Sequence, residues 1–107
     1  MPHAVLVVHT EPVDADRVEE FNTWYDTVHI PEVLATVPGF TGARRYLASP
    51  SGPAHPAQPY LAIYEIEADD PEAVLARLQA AVADRELSQT TALNRTPPPT
   101  MTLYHPV

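Results

Sequence analysis

Residues 3–10 constrain the fold more than any other segment of the chain. They read HAVLVVHT, a run rich in β-branched residues that ends at Glu11-Pro12, and this pattern predicts a strand. Both faces of that strand are apolar in its middle, whereas an antiparallel sheet with one face in water shows a clean alternation. A chain of 107 residues has too few helices to cover both faces. We therefore expect helices on one face and a second copy of the protein on the other, giving a homodimer through the open sheet face.

The rest of the sequence supplies the remaining elements of a single domain, residues 1–107. A helix capped by Asp14 or Asp16 ends at Pro38-Gly39, and a second helix begins at Asp70-Pro71. Further strands are predicted at 40–48, 60–67 and 101–105, separated by a proline-rich loop at 49–59 and a polar connection at 88–99. This order predicts an α+β fold, the ferredoxin-like βαββαβ plait, with a four-stranded antiparallel sheet and two helices on one face.

Composition limits the possible functions. The net charge is -8, which argues against nucleic acid and against anionic membranes as partners. The absence of cysteine excludes disulfides and thiolate chemistry, and the absence of lysine excludes Schiff bases. No apolar run approaches the ~20 residues of a membrane helix, and the start of the chain does not resemble a signal peptide. A cytoplasmic location is therefore expected.

The functional residues are expected in the stretch 21–33, FNTWYDTVHIPEV, on the first helix. Helical spacing puts one apolar stripe beside one polar stripe on this helix. The apolar stripe contains Val18, Phe21, Tyr25 and Val28, and the polar stripe contains Asn22, Tyr25, His29 and Glu32. A histidine at the border can reach a cavity under the helix while Asp26 or Glu32 holds its second nitrogen, an arrangement that suits acid–base work. Pro31 removes a backbone donor in mid-helix, an irregularity typical of functional sites.

Structural alternatives exist for each of these residues. A histidine at the edge of an apolar helix face is often a structural residue, and here it is the nearby Trp24-Tyr25 pair and two carboxylates that favour a site. In the second strand Arg44 and Arg45 lie on opposite faces, so one of them is expected to point inward or toward a partner. The alternative is that both are solvated on an edge strand. The loop 49–59 is either a lid over the cavity or simply exposed.

The pattern Phe21-x-x-Trp24-Tyr25-x-x-x-His29-Ile30-Pro31-Glu32, followed by Val37-Pro38-Gly39-Phe40, resembles the EthD-like branch of the dimeric α+β barrel superfamily. This resemblance implies a small, aromatic-lined pocket between the sheet and the first helix, into which His29 faces. It also implies a homodimer that often needs no cofactor. Proteins of similar fold include polyketide cyclases, muconolactone isomerases, cofactor-free monooxygenases and small dehydratases or decarboxylases.

We therefore predict a cofactor-independent enzyme acting on a small conjugated or carbonyl-containing substrate, by cyclisation, isomerisation or elimination. His29 is the predicted general acid–base, Tyr25 a donor to a developing enolate, and Asp26 or Glu32 the group that orients the imidazole. The predicted substrate-binding residues are Trp24, Asn22, Phe21, Tyr64 and Arg45. No metal is expected, since the five histidines lack metal-ligand spacing. Two alternatives are a metal- and flavin-free monooxygenase and a non-catalytic small-ligand-binding protein.

Overall fold

The fold of residues 2–107, described from a computed structural model, is α+β with a four-stranded antiparallel sheet. The elements are β1 (His3–Thr10), α1 (Val18–Trp24), a π-helical turn (Tyr25–His29), α2 (Ile30–Thr36), β2 (Phe40–Leu47), β3 (Tyr60–Glu67), α3 (Pro71–Ala83) and β4 (Thr100–Tyr104). The strand order is β2-β3-β1-β4, so the first and third strands are central. The architecture is compatible with the ferredoxin-like plait.

The hydrophobic core lies against one face of this sheet. Leu6 and Val8 of β1 and Tyr64 and Ile66 of β3 are buried, and the register pairs Leu6 with Tyr64. The alternate positions of β1, such as Val7, are only half-buried. Period two therefore sorts the strand residues into a core face and a second face that remains apolar but partly exposed.

The first helix changes geometry in its middle. Residues 18–36 keep helical backbone angles, but between α1 and α2 the Ile30 amide donates to the Tyr25 carbonyl, five residues back. Pro31 follows this turn, and its ring and missing N–H are incompatible with a regular α-helical turn at that point. The wider turn moves the later side chains by one position. The prediction that Val28 lies on the buried stripe is therefore wrong: Val28 is 36% exposed.

The turn after this helix brings β2 close to α3. Gly39 has φ +108°, and a Cβ there would lie 2.6 Å from Cγ2 of Val74 on α3. Only glycine combines that backbone angle with so close an approach. The Asp70 side chain accepts from the Ala73 amide and caps α3, as its sequence predicted.

The polar connection before β4 is attached to the body of the protein. Leu93 forms an isolated bridge with Pro12, and the Asn94 side-chain amide donates to Oε1 of Glu11 at 2.6 Å. Leu87 and Leu93 are buried. The connection thus lies over the end of the core as a packed layer. Within residues 2–107, no helix has the length and apolarity needed to cross a membrane.

Candidate functional site

A cavity of about 320 Å³ lies between the core face of the sheet and the first helix. Its walls come from the first helix, from β1, β3, β4 and α3, and from the connection before β4. The lining residues are Val8, Trp24, Tyr25, His29, Val33, Tyr64, Leu78, Val82, Leu87, Ser88, Gln89, Leu93, Arg95, Pro98, Pro99 and Met101. Most of these side chains are apolar or aromatic, which suits a small organic ligand.

The imidazole of His29 is held among aromatic rings. It stacks on Trp24 with ring centroids 4.5 Å apart and planes 19° apart, and it meets Tyr25 nearly at a right angle, at 5.0 Å. The π-helical turn makes this arrangement, because it brings His29 rather than Val28 over the cavity. His29 Nδ1 and Trp24 Nε1 are enclosed and have no hydrogen-bond partner within the described chain. Nε2 is the imidazole nitrogen left to meet a ligand.

Burial lowers the pKa of His29 to about 4, and the nearby charge of Glu32 opposes this shift only in part. The imidazole is therefore neutral at pH 7. Its basicity is lower than that of an ordinary histidine, whose pKa is ~6.5. A neutral imidazole can accept one proton or donate one, but it is a weak base here.

This low pKa predicts an acid-sensitive fold. In the unfolded chain His29 takes up a proton below its ordinary pKa, whereas in the folded chain it does so only near pH 4. Stability is therefore fully present above pH ~6.5 and is lost as the pH falls from ~6.5 to about 4, by roughly 3 kcal/mol. Urea unfolding at pH 7 and pH 4 should show this loss in the natural protein, in excess of the loss in His29→Gln. Equal losses in both would contradict it.

Two buried tyrosines form the inner wall of the cavity. Burial raises the pKa of Tyr25, and it raises that of Tyr64 still further above the usual range. A hydrogen bond with the Thr10 side chain and the positive charge of Arg45 oppose the shift at Tyr25, and Arg45 opposes the shift at Tyr64. Both phenols consequently stay protonated at neutral pH and can donate hydrogen bonds to a ligand oxygen. The structure thus brings His29, Trp24, Tyr25 and Tyr64 together around one space.

Glu32 does not hold the imidazole, contrary to the sequence-based prediction. Its two carboxylate oxygens accept from the backbone amide of Ser88 and from the Ser88 hydroxyl, the latter at 2.9 Å. Since both oxygens are engaged there, Glu32 fixes the connection that forms one wall of the cavity. Its part in the site is to position Ser88.

Three predicted site residues lie outside the cavity wall and form a separate cluster: Asp26, Asn22 and Arg45. Arg45 points inward from β2, as one of the two arginines was predicted to do, and its guanidinium lies 4.5 Å from the Tyr25 ring centre. Its nitrogens donate to Oδ1 of Asp26 at 3.1 Å and to Oδ1 of Asn22 at 2.8 Å. The prediction that Asp26 orients His29 is thus wrong, because Asp26 binds Arg45 and Nδ1 of His29 has no partner in the described chain. Asn22 and Arg45, predicted to bind substrate, bind each other and do not line the cavity.

Phe21 requires a similar correction. It is fully buried, and it meets Tyr25 at 5.4 Å and Tyr60 at 5.1 Å edge to face. It does not line the cavity. Phe21 is a core residue behind the cavity wall, because its place one turn before Tyr25 on the same helix face leads it to the sheet.

The connection before β4 supplies cavity residues that the sequence did not identify. Ser88, Gln89, Arg95 and the Pro98-Pro99 pair all line the space. The sequence offered one signal that this stretch packs against the core: two apolar residues, Leu87 and Leu93, in largely polar surroundings. Both are buried in the structure. The loop 49–59 contributes no lining residue, although the Gln58 side-chain amide donates to the carbonyl of Pro98, a residue of the cavity wall, at 2.9 Å.

Comparison with known proteins does not assign this chain to a family. A scan against models of protein families, a search of curated proteins and a search of solved structures each found no match. Among residues 2–107, no three His, Cys, Asp or Glu side chains come together as a metal-binding group. The function must be inferred from the cavity itself.

Proposed function

We propose that this protein is a cofactor-independent enzyme in which His29 transfers a proton on a small conjugated or carbonyl-containing substrate. The reaction would be an isomerisation, a cyclisation or an elimination. The observation that supports this proposal is a neutral imidazole in the wall of an apolar, partly enclosed cavity, beside two protonated phenols. Those are the parts that enolisation requires: a group that takes a proton from carbon and donors for the oxygen that becomes negative.

Each residue then has a defined part in the proposed step. Nε2 of His29 removes a proton from the carbon next to a substrate carbonyl, and the electron pair of the broken C–H bond forms the enolate. Tyr25 or Tyr64 donates a hydrogen bond to the enolate oxygen. The imidazolium then returns the proton to a different atom of the substrate, or to a leaving group. Trp24 holds the imidazole plane by stacking.

The test is deuterium exchange in D₂O. The natural protein is incubated with a panel of small conjugated ketones and lactones, and exchange of the protons next to the carbonyl is followed by NMR. We expect exchange above the buffer rate for those compounds that fit the cavity. Absence of exchange across a panel whose members bind would contradict the enzymatic proposal.

A second candidate, a non-catalytic small-ligand-binding protein, is favoured by the low basicity of His29. A pKa of about 4 weakens the imidazole as a base but leaves it able to make hydrogen bonds. Calorimetry separates the two functions. Tight binding of a compound with no exchange and no conversion supports a binding protein.

We also propose that the chain is an EthD-like dimeric α+β barrel, in which two sheets meet face to face. The support is the second sheet face, where Val5, Val7, Leu61 and Ile63 are half-buried and Tyr46 and Tyr104 are about half exposed. The same face carries two exposed charges, Arg44 beside Ile63 and Glu65 beside Val5, so it is apolar only in part. A partly apolar, partly exposed face is compatible with a subunit interface.

Substitution on that face tests the dimer. Ile63→Glu at the centre of the face is expected to give a monomer, because it puts a charge on each side of the two-fold contact. Ala35→Glu, at an exposed position on α2, is the matched control and should leave the mass unchanged. Sedimentation velocity measures both. A natural protein that sediments as a monomer would rule out the dimer.

A further inference from the structure

The cavity has an uneven distribution of charge. The chain carries 14 acidic residues and six arginines, yet Arg95 is the one Asp, Glu, Lys or Arg among the residues that line the cavity. Arg95 is exposed, as are its lining neighbours Gln89, Pro98 and Met101, whereas Tyr25 and Tyr64 at the other end are buried. The cavity thus has a cationic mouth and a neutral inner end.

The Arg95 guanidinium keeps most of its hydrogen-bonding capacity. Arg17, Arg45 and Arg77 each form a salt bridge with a carboxylate of the same chain. For Arg95 the contact in the described structure is one long hydrogen bond, from Nη2 to the Thr90 carbonyl at 3.4 Å. A guanidinium has five N–H donors in a planar fork that matches a carboxylate.

We infer that the substrate carries a carboxylate, which binds Arg95 at the mouth while the carbonyl end of the molecule reaches His29 and the two tyrosines. This inference rests on the proposed function, since it gives the substrate class of the same site. The net charge of -8 repels anions in general, so a local cation is needed to select one. The apolar wall between the two ends suits a conjugated linker.

Calorimetric titration with trans-cinnamate and trans-cinnamamide tests the inference. The two probes have the same shape, and only the first is an anion. We expect the natural protein to bind cinnamate about three- to tenfold more tightly than the amide, because a partly exposed charge-assisted pair contributes a modest amount. Raising the salt concentration should reduce this preference.

Variants assign the preference to Arg95. Arg95→Gln should bind both probes equally, and Arg95→Lys should keep part of the preference. Arg85→Gln is the matched control, because it removes one exposed positive charge that does not line the cavity. It should behave like the natural protein.

Three outcomes would overturn the inference: equal binding of the two probes by the natural protein, failure of both probes to bind, and a preference that persists in Arg95→Gln. The proposed function is tested separately, since proton exchange that depends on His29 would stand even if cinnamate had no advantage over cinnamamide. If the natural protein catalyses no proton exchange but still prefers cinnamate to cinnamamide, the cavity is a carboxylate-binding site and the protein is not the proposed enzyme.

Discussion

Replacing His29 by Gln is expected to lower the rate of proton exchange by about 10²- to 10³-fold, with the fold retained at pH 7. A positioned acid–base group contributes 10²- to 10⁴-fold, and we place His29 in the lower part of that range because burial makes it a weak base. Glutamine is close in length and polar, but it cannot accept the proton. NMR-detected exchange on the most reactive ketone or lactone of the panel gives the rate.

The His29→Gln experiment has a matched control and an outcome that would contradict the mechanism. His55→Gln removes an exposed histidine of the loop 49–59 that does not line the cavity, and it should leave the rate unchanged. Full activity in His29→Gln would remove this mechanism. Equal losses in both variants would point to a general effect on the protein rather than to the imidazole.

The pH dependence gives a further readout of the same residue. Only neutral His29 can act as the base, so activity must fall as the pH drops through its pKa. The acid limb of kcat/KM is therefore expected near pH 4, rather than near the ~6.5 of an exposed histidine. A limb at ~6.5 would indicate that a different group, or a much more open site, governs the reaction.

The elements of the fold were largely predictable from local patterns. The alternation in β3 predicts one face made of Tyr60, Ala62, Tyr64 and Ile66; the last three are buried and Tyr60 is half-buried. The Pro38-Gly39 stop and the Asp70 cap are local features that depend on a few neighbouring residues. Strand faces and helix caps could be predicted from the sequence because neither depends on distant parts of the chain.

The site was less predictable, for two physical reasons. The helical count assumed a regular period through residues 25–29, but a π-helical turn lies there, and Val28 is exposed although the count put it on the buried stripe. Pro31 indicates that the helix is irregular, but it does not show where along the helix the irregular turn lies. The second reason is distance along the chain: Glu32 binds Ser88, 56 residues away, and nothing in a single sequence pairs two such residues.

Substitution of Phe21 should have a large effect on stability. Phe21→Ala is expected to cost about 3–5 kcal/mol of unfolding free energy, because it removes a fully buried ring and leaves a cavity. Three further contacts are lost with the ring: edge-to-face pairs with Tyr25 and Tyr60, and the Arg45 guanidinium 5.4 Å from its centre. Urea unfolding at pH 7 measures the loss.

This experiment also decides between the two roles considered for Phe21. If Phe21 is a core residue, Phe21→Ala should lower stability strongly. Phe21→Leu keeps an apolar side chain, so it should lower the free energy of unfolding much less. It should also bind cinnamate as the natural protein does. Because Phe21 stands behind Tyr25 rather than in the wall, its side chain does not meet a ligand. A Leu variant of unchanged stability that no longer binds cinnamate would return Phe21 to the binding site and place the cavity wall differently.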